Sequence, residues 1–442
     1  MTKDLTKGKP FQTIFTFSIP IVCGNLFQLF YTLADTIIVG QTLGSDALAA
    51  VGSTSIIVYL VLCFIQGITG GFGICLAQQF GKRDESGMRK SISVSLMLSI
   101  AASVAITLLC CLLSHKILYW MNTPSKIYGM AYDYMFVVLL GTGATIFYNL
   151  ISNILRALGD SQTPLIFLIF SSIFNIILDI IFIVPLNMSV AGAAWATVFS
   201  QLLSALLCTC FGIKKFPILR ITHNDFLISK SVWSAHLRTG FPMGFQMSVM
   251  CIGQLAMQGA VNALGANAIA GYTAATKVDQ ASVLVNAALG IAISNFVAQN
   301  YGAQLKGRIK EGVTSCLILA SSINFVMCLM ILVCRHLVIP LFVNNPTAEL
   351  SAYSDQYFFA VAPFYLLLGV LVLYRSAVQS MGNSIAPFFA CLIELAARIG
   401  ATVILSKQIG YIGICFATPL AWIGASLFLI PTYRTMMRRN IF

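Results

Sequence analysis

Residues 33–40 read LADTIIVG: a carboxylate, Asp35, set in a stretch otherwise suited to hydrocarbon. The apolar run around it extends from about residue 11 to residue 40, long enough to cross a bilayer, which takes roughly 20 residues of helix. Eleven further runs of this kind follow, at about 47–80, 91–114, 131–156, 163–186, 190–211, 236–263, 268–301, 312–334, 352–380, 386–406 and 410–433. The chain has 442 residues, 58% of them hydrophobic and only 9% charged, with a mean hydropathy of +0.88. Soluble globular domains are about a quarter charged, so the solvent for this chain is lipid. The runs are continuous rather than alternating, which selects helices over barrel strands. The expected fold is an all-α integral membrane protein of twelve transmembrane helices.

The net charge of +12 would suggest nucleic acid in a soluble protein. Here its distribution explains it without a nucleic-acid partner. Twelve spans put both termini on one side. The termini and the loops on that side hold eighteen Lys and Arg, from Lys3 to Arg439, while the opposite loops hold four, Lys116, Lys126, Arg335 and Lys407. The positive-inside rule then places both termini in the cytoplasm of a multi-pass cell-membrane protein. The first run is too long for a cleavable signal and no small-x-small site ends it. The thirteen cysteines all lie in apolar runs and include no CxxC, and the four histidines lack ligand spacing. Metal and redox chemistry through these residues is therefore not expected.

The chain repeats itself. Ala77-Gln78-Gln79-Phe80-Gly81 returns as Ala298-Gln299-Asn300-Tyr301-Gly302 at an offset of 221, and Gly159 and Pro164 return as Gly382 and Pro387 at 223. Pro20 returns as Pro242. Two pseudo-symmetric six-helix lobes follow, 1–211 and 236–442, joined by a charged cytoplasmic linker, 212–235. Six is even, so the lobes have the same orientation, a parallel repeat of the kind transporters use.

Polar residues then separate the lobes. On the first helix Asn25, Gln28, Thr32 and Asp35 follow at steps of 3, 4 and 3, and so share one face. The fifth run carries Ser171, Asn175 and Asp179 at steps of four; the sixth carries Thr197, Gln201 and Ser204. Polar atoms turned to lipid each cost free energy, so these faces should meet one another or water. For Ser171 and Ser204 a bond to the helix backbone is the simpler expectation. Asp35 and Asp179 have one intramembrane base in their half, Arg156, and it lies at the other end of the bilayer. Two acids without a base are disfavoured as bare charges by burial and by each other. A proton or a monovalent cation would neutralise them, which makes the pair a candidate coupling site.

In the second half the same positions change character. The first-helix face becomes Met247, Met250, Gln254 and Met257, and Asn175 and Asp179 become Arg398 and Thr402. The methionines suit either helix packing or a deformable wall for varied ligands. Glu394 and Arg398, at i and i+4, are expected to pair. Lys277, Asp279 and Arg375 are left without a role.

These residues resemble the multidrug and toxic compound extrusion family along essentially the whole chain. The resemblance is carried by Pro20 followed by LADTIIVG, by the AQQFG and AQNYG pair, by ALGDSQTP with its echo SMGNSIAP, and by FNIILDIIF. The last pattern resembles the branch related to DNA-damage-inducible protein F. It implies that Asp35, Asn175, Asp179 and Thr197 bind H⁺ or Na⁺, acting as metal ligands only if Na⁺ is the ion, and that helix one bends near Pro20 when the site is loaded. An acid in the seventh helix of another branch is matched here by Met250. The expected function is secondary antiport of amphipathic, often cationic, organic molecules by a monomer in the lipid bilayer, with no cofactor beyond the coupling ion. The lining would be Asn25, Gln28, Thr32, Gln201, Met247, Met250, Gln254 and Met257. A flippase for lipids or lipid-linked saccharides is the alternative. A membrane enzyme is not expected, since no nucleotide loop, HExxH or GxSxG occurs.

Overall fold

The computed structural model describes residues 3–121, 123–338 and 347–439. The terminal residues, whose side of the membrane the charge count predicts, lie partly outside that range. Fourteen α-helices are described: α1 Pro10–Leu43, α2 Ser45–Lys82, α3 Glu85–Trp120, α4 Ser125–Leu140, α5 Thr142–Ala157, α6 Gln162–Ile183, α7 Ser189–Lys215, α8 Lys230–Asn262, α9 Ala266–Gly302, α10 Lys306–Val338, α11 Ala348–Val361, α12 Tyr365–Ser380, α13 Ile385–Ile409 and α14 Tyr411–Arg438. Each of the twelve apolar runs appears as one helix or as a broken pair.

The fourth run is broken. The helices α4 and α5 meet at 42°, at Gly141, where a Cβ would lie 2.1 Å from a methyl of Val198; only glycine lets α7 approach this bend. The tenth run divides into α11 and α12 around a 3-10 turn at Ala362–Phe364, which contains Pro363. Nine of the described helices are long and apolar enough to cross a membrane, ten spans result when α11 and α12 are joined across Ala348–Ser380, and eleven when the α4–α5 pair is also counted as one. The helix α8, at 33 residues, is also long enough; Gln246, Gln254, Gln258 and Asn262 lower its apolar character. Side chains such as Leu112, 79% exposed, and Leu427, 69% exposed, present hydrocarbon outward as lipid-facing residues do.

The repeat is visible in the backbone. Gly44 and Gly265 both take positive φ, 85° and 100°, and Gly159 and Gly382 do so at 86° and 89°. Even the non-glycine pair Arg83 and Gln304 shares a left-handed conformation, at 57° and 59°. After Gly159, the Asp160 carboxylate accepts from the N–H groups of Gln162 and Thr163 at 3.1 and 3.0 Å. After Gly382, Asn383 accepts from the N–H of Ala386 at 3.0 Å. The ALGDSQTP and SMGNSIAP motifs are thus helix starts, in which a short side chain satisfies first-turn amides.

The chain forms two compact units, one of Met1–Asp4 with Ile19–Gly244 and the other of Leu5–Ser18 with Phe245–Phe442. In the first, α2 packs on α5 and α6 on α7; in the second, α9 packs on α12 and α13 on α14, the repeat counterparts. The start of α8 belongs to the first unit because Gly67 and Gly71 of α2 meet it backbone to backbone. A Cβ on Gly67 would lie 2.4 Å from the Met243 carbonyl oxygen, and one on Gly71 2.6 Å from the Gly240 Cα. Small residues four apart permit this close crossing. The start of α1 belongs to the second unit, where the AQNYG motif holds the segment before it. Gln299 accepts from the Leu5 N–H at 3.0 Å, and Asn300 and Arg308 donate to the Leu5 carbonyl at 3.1 and 3.2 Å. The unit boundaries therefore fall beside Pro20 on α1 and Pro242 on α8, where the helix lacks one backbone hydrogen bond.

Candidate functional site

In the first unit, α1, α6 and α7 bring four of the expected residues together. Asp179 and Asn175, one turn apart on α6, are both 0% exposed. With its amide oriented to satisfy both ends, Asn175 donates to Asp179 Oδ2 at 3.0 Å and accepts from the Thr197 N–H at 3.2 Å. The Asp35 carboxyl, on α1, stands near enough to the Asp179 carboxyl for the two groups to interact electrostatically. One oxygen of each acid, Asp35 Oδ1 and Asp179 Oδ1, is buried without any hydrogen-bond partner. Neither acid has an ion-pair partner among the described residues. Arg156, the base on α5, instead sits beside Asn153, Tyr148 and Cys208.

Two carboxyls this close cannot both stay bare: like charges at that distance repel by several kcal/mol in a poorly solvated interior. A shared proton or a monovalent cation removes the conflict, and the orphaned oxygens are where it would bind. The donor set is oxygen only, which suits a hard cation or a proton and gives no soft ligand. Asp35 and Asp179, with Asn175 and Thr197 around them, therefore fit a coupling ion.

Two tyrosines complete this site, and the helical stripe did not predict them. Tyr31, one turn before Asp35, donates its phenol to Thr197 Oγ1 at 3.4 Å. Tyr134, on α4, stands close enough to Asp35, Tyr31 and Asp179 to feel their charge. Tyr31 could have been found by reading i−4 from Asp35; nothing in the sequence connects Tyr134 to acids on other helices.

An apolar cluster closes one end of the site. Val39, Ile183 and Ala193, at 1%, 3% and 0% exposure, pack with Ala47 and Val190. Each lies one helical turn from a site residue: Val39 from Asp35, Ile183 from Asp179 and Ala193 from Thr197. All three steps run toward the same end of the helices, since α7 is antiparallel to α6. The polar layer is capped by a hydrocarbon layer that excludes water from that side.

The rest of the α1 face is looser. Asn25 is half-buried, while Gln28 and Thr32 are exposed, the Thr32 hydroxyl bonding back to the Gln28 carbonyl at 2.9 Å. Gln201, one turn beyond Thr197, has a buried Oε1 without a partner. Pro20 is buried within a continuous α1.

In the second unit the methionine face divides. Met257 is buried, with Gln246 and Gly253 on the same face of α8, while Met247 and Met250 are half-buried and Gln254 is exposed. Met257 packs in the main apolar cluster of this unit and accepts from the Thr418 hydroxyl at 3.3 Å. The expected Glu394–Arg398 pair forms at 3.0 Å, and a second base, Arg375 of α12, joins it at 2.6 Å. Asp279, 8% exposed, accepts from the Tyr357 phenol at 3.0 Å; Lys277 is exposed.

Two repeated helical bundles, with hydrocarbon outside and a base-free acid pair inside one of them, define a membrane transporter of the two-lobe class. Comparison with known proteins makes the family specific. The family model MatE matches residues 20–181 and again 242–421. The "Probable multidrug resistance protein YpnP" of Bacillus subtilis is 31% identical over 438 residues, covering 98% of this chain and 96% of that one. The "Multidrug export protein MepA" of Staphylococcus aureus is 23% identical, covering 94% and 91%. A solved structure described as the outward-facing conformation of a multidrug resistance MATE family transporter superposes with a TM-score of 0.92 over 99% of both chains, at 23% identity. The chain belongs to the MATE family of multidrug efflux transporters, whose structures hold twelve transmembrane helices in two lobes.

Proposed function

We propose that this protein is a secondary antiporter of the cell membrane, acting as a monomer with its termini in the cytoplasm. It exports amphipathic organic molecules, many of them cationic, in exchange for H⁺ or Na⁺. The observation that carries this reading is the contact between Asp35 and Asp179, each with a buried, partnerless oxygen and no base in contact. A structural acid pair would be neutralised by a fixed base or saturated with donors. This one is left short by about one positive charge, which a mobile ion supplies.

In the proposed cycle the ion binds between the two carboxyls, where Asn175 and Thr197 fix the ligand geometry. Loading cancels the repulsion between them and favours the compact arrangement of α1, α6 and α7. Release restores it and favours the arrangement in which α1 moves away, with Pro20 as the point where the helix yields. The ion can shift the conformational equilibrium only by its differential affinity for the two arrangements. The stronger the repulsion in the empty site, the larger that differential is.

The test is transport in proteoliposomes with a pH gradient and a Na⁺ gradient imposed separately. Uphill dye efflux driven by either gradient is expected, and the effective one identifies the ion. Dye movement that neither gradient drives would refute secondary antiport.

A further inference from the structure

The second unit holds a buried cluster that the coupling site does not use. Its buried acidic and basic side chains among the described residues are Asp279, Arg375, Glu394 and Arg398. Glu394 alone bridges the two guanidinium groups, with Oε2 at 2.6 Å from Arg375 and Oε1 at 3.0 Å from Arg398. Both arginines are nearly enclosed, at 6% and 7% exposure. The Nε of each has no acceptor. One carboxylate thus serves two guanidinium groups that between them carry ten N–H bonds. Asp279 forms no ion pair with either arginine: it stands near enough to Arg398 for their charges to interact, but its carboxyl is bonded to Tyr357.

What fills the remaining place is informative. The Arg375 NH1 donates to the Met250 sulfur at 3.3 Å. A thioether is among the weakest acceptors in proteins, and a guanidinium among the strongest donors. The two helices are in register here. One turn away, Gln379 donates to Gln246 at 2.6 Å across the same α8–α12 seam, so the seam can place a strong acceptor where it needs one. On the other side Gly253 leaves room for Arg398: a Cβ there would lie 3.4 Å from the Arg398 Cδ. Thr402, one turn beyond Arg398, has a buried hydroxyl without a partner. Met250 is half-buried and flexible, and it covers an array of unused donors.

We propose that Arg375 and Arg398 bind an anionic group, a phosphate monoester or a carboxylate on an amphipathic substrate, and that the Met250 side chain occupies this place when no substrate is present. This rests on the export reading above and extends its substrate range to anions. The anion takes the free Nε–H edges and the NH1 that Met250 now holds, since guanidinium forks bind phosphate and carboxylate oxygens in pairs. Glu394 orients the two arginines and competes with the ligand for them. A solely structural ion pair has no such competitor relation.

Full-length protein in phosphatidylcholine nanodiscs provides the test, with 1-naphthyl phosphate and naphthylmethylammonium as probes of matched ring and opposite charge. The phosphate is expected to bind the wild type, with Arg375→Gln weakening it at least tenfold. Glu394→Gln should tighten it about threefold or more by removing the competitor. Met250→Leu, a volume-conserving change that keeps the fold should Glu394→Gln unfold, should also tighten phosphate binding, because a hydrocarbon cannot accept the Arg375 hydrogen bond. Absence of phosphate binding, or phosphate binding insensitive to all three substitutions, would overturn the proposal. Nanodiscs containing phosphatidic acid separate the source: competition with the naphthyl phosphate assigns the site to a lipid headgroup, and its absence, with binding intact, to a soluble anion. Both results support an anion site. Failure of anion binding while a gradient still drives efflux of a cationic dye would refute this inference alone and leave antiport standing.

Discussion

The repeat counterparts α6 and α13 each carry a buried acid, and the two acids live under opposite conditions. Asp179 on α6 faces a second acid, Asp35, and has no basic partner among the described residues. Glu394 on α13 is gripped by two bases. At the positions where α6 has Asn175 and Asp179, α13 has Arg398 and Thr402. The backbone places both helices equivalently, so the side chains decide what a buried carboxylate does. An acid held by fixed positive charge is part of the framework or competes for a bound anion. In the proposed function, an acid held by nothing fixed takes its partner from solution.

The comparison predicts opposite responses to removing the charge. Glu394→Ala leaves two buried guanidinium groups without their shared partner and should cost about 3–5 kcal/mol of stability. Asp179→Asn removes a repulsion and keeps the bond to Asn175, so its melting temperature should equal or exceed the wild type. Thermal unfolding of both variants in one detergent checks this. Equal losses would mean that the α6 acid is also structural.

A smaller effect is expected from the hydrocarbon layer over the acid pair. Ile183→Ser opens a polar path one turn from Asp179. It should reduce the efflux obtained per ion several-fold by letting ions leak, while substrate binding stays near normal. Ion uptake measured in the absence of substrate should rise. Unchanged uptake would show that water is excluded elsewhere.

The smallest effect concerns an acid with an ordinary framework role. Asp160, outside the spans, is 0% exposed. Burial pushes its carboxyl up, but the Lys215 ammonium at 2.6 Å and the Thr163 hydroxyl and N–H outweigh this and hold it below the usual range. A group so depressed adds stability above its unfolded value, about 4. That contribution disappears as pH falls through the folded value. Asp160→Asn should therefore cost about 1–2 kcal/mol at pH 7, and the gap to wild type should close below about pH 4. A constant gap across that range would place the effect in packing rather than charge.

Much of this architecture is legible in the sequence alone. Continuous apolar runs and the charge bias between loops name helices in a membrane, because lipid forces every backbone bond to close within the segment. The repeat read from the sequence returns in the backbone as paired positive-φ glycines, Gly159 with Gly382 and Gly44 with Gly265. The 3–4–3 spacing and the lack of a nearby base brought Asp35 and Asp179 to attention. Tyr134 and Arg375 were not legible. Each reaches its partners from another helix, and spacing along one helix carries no information about its neighbours. The α4–α5 break at Gly141 was hidden for a related reason: the side chain that leaves room only for glycine there, Val198, lies 57 residues later. The methionine face read as one stripe, but tertiary packing buries only Met257 and leaves Met247 and Met250 half-buried.

The most direct measurement of the central claim is gradient-driven efflux by Asp35→Asn, Asp179→Asn and the double variant, normalised to folded protein in the membrane. If the two acids share one ion, each single change should reduce uphill efflux at least a hundredfold, and the double change should be hardly worse than either. Near-normal uphill efflux by Asp35→Asn, or losses that multiply in the double variant, would contradict a shared ion and return both acids to separate roles.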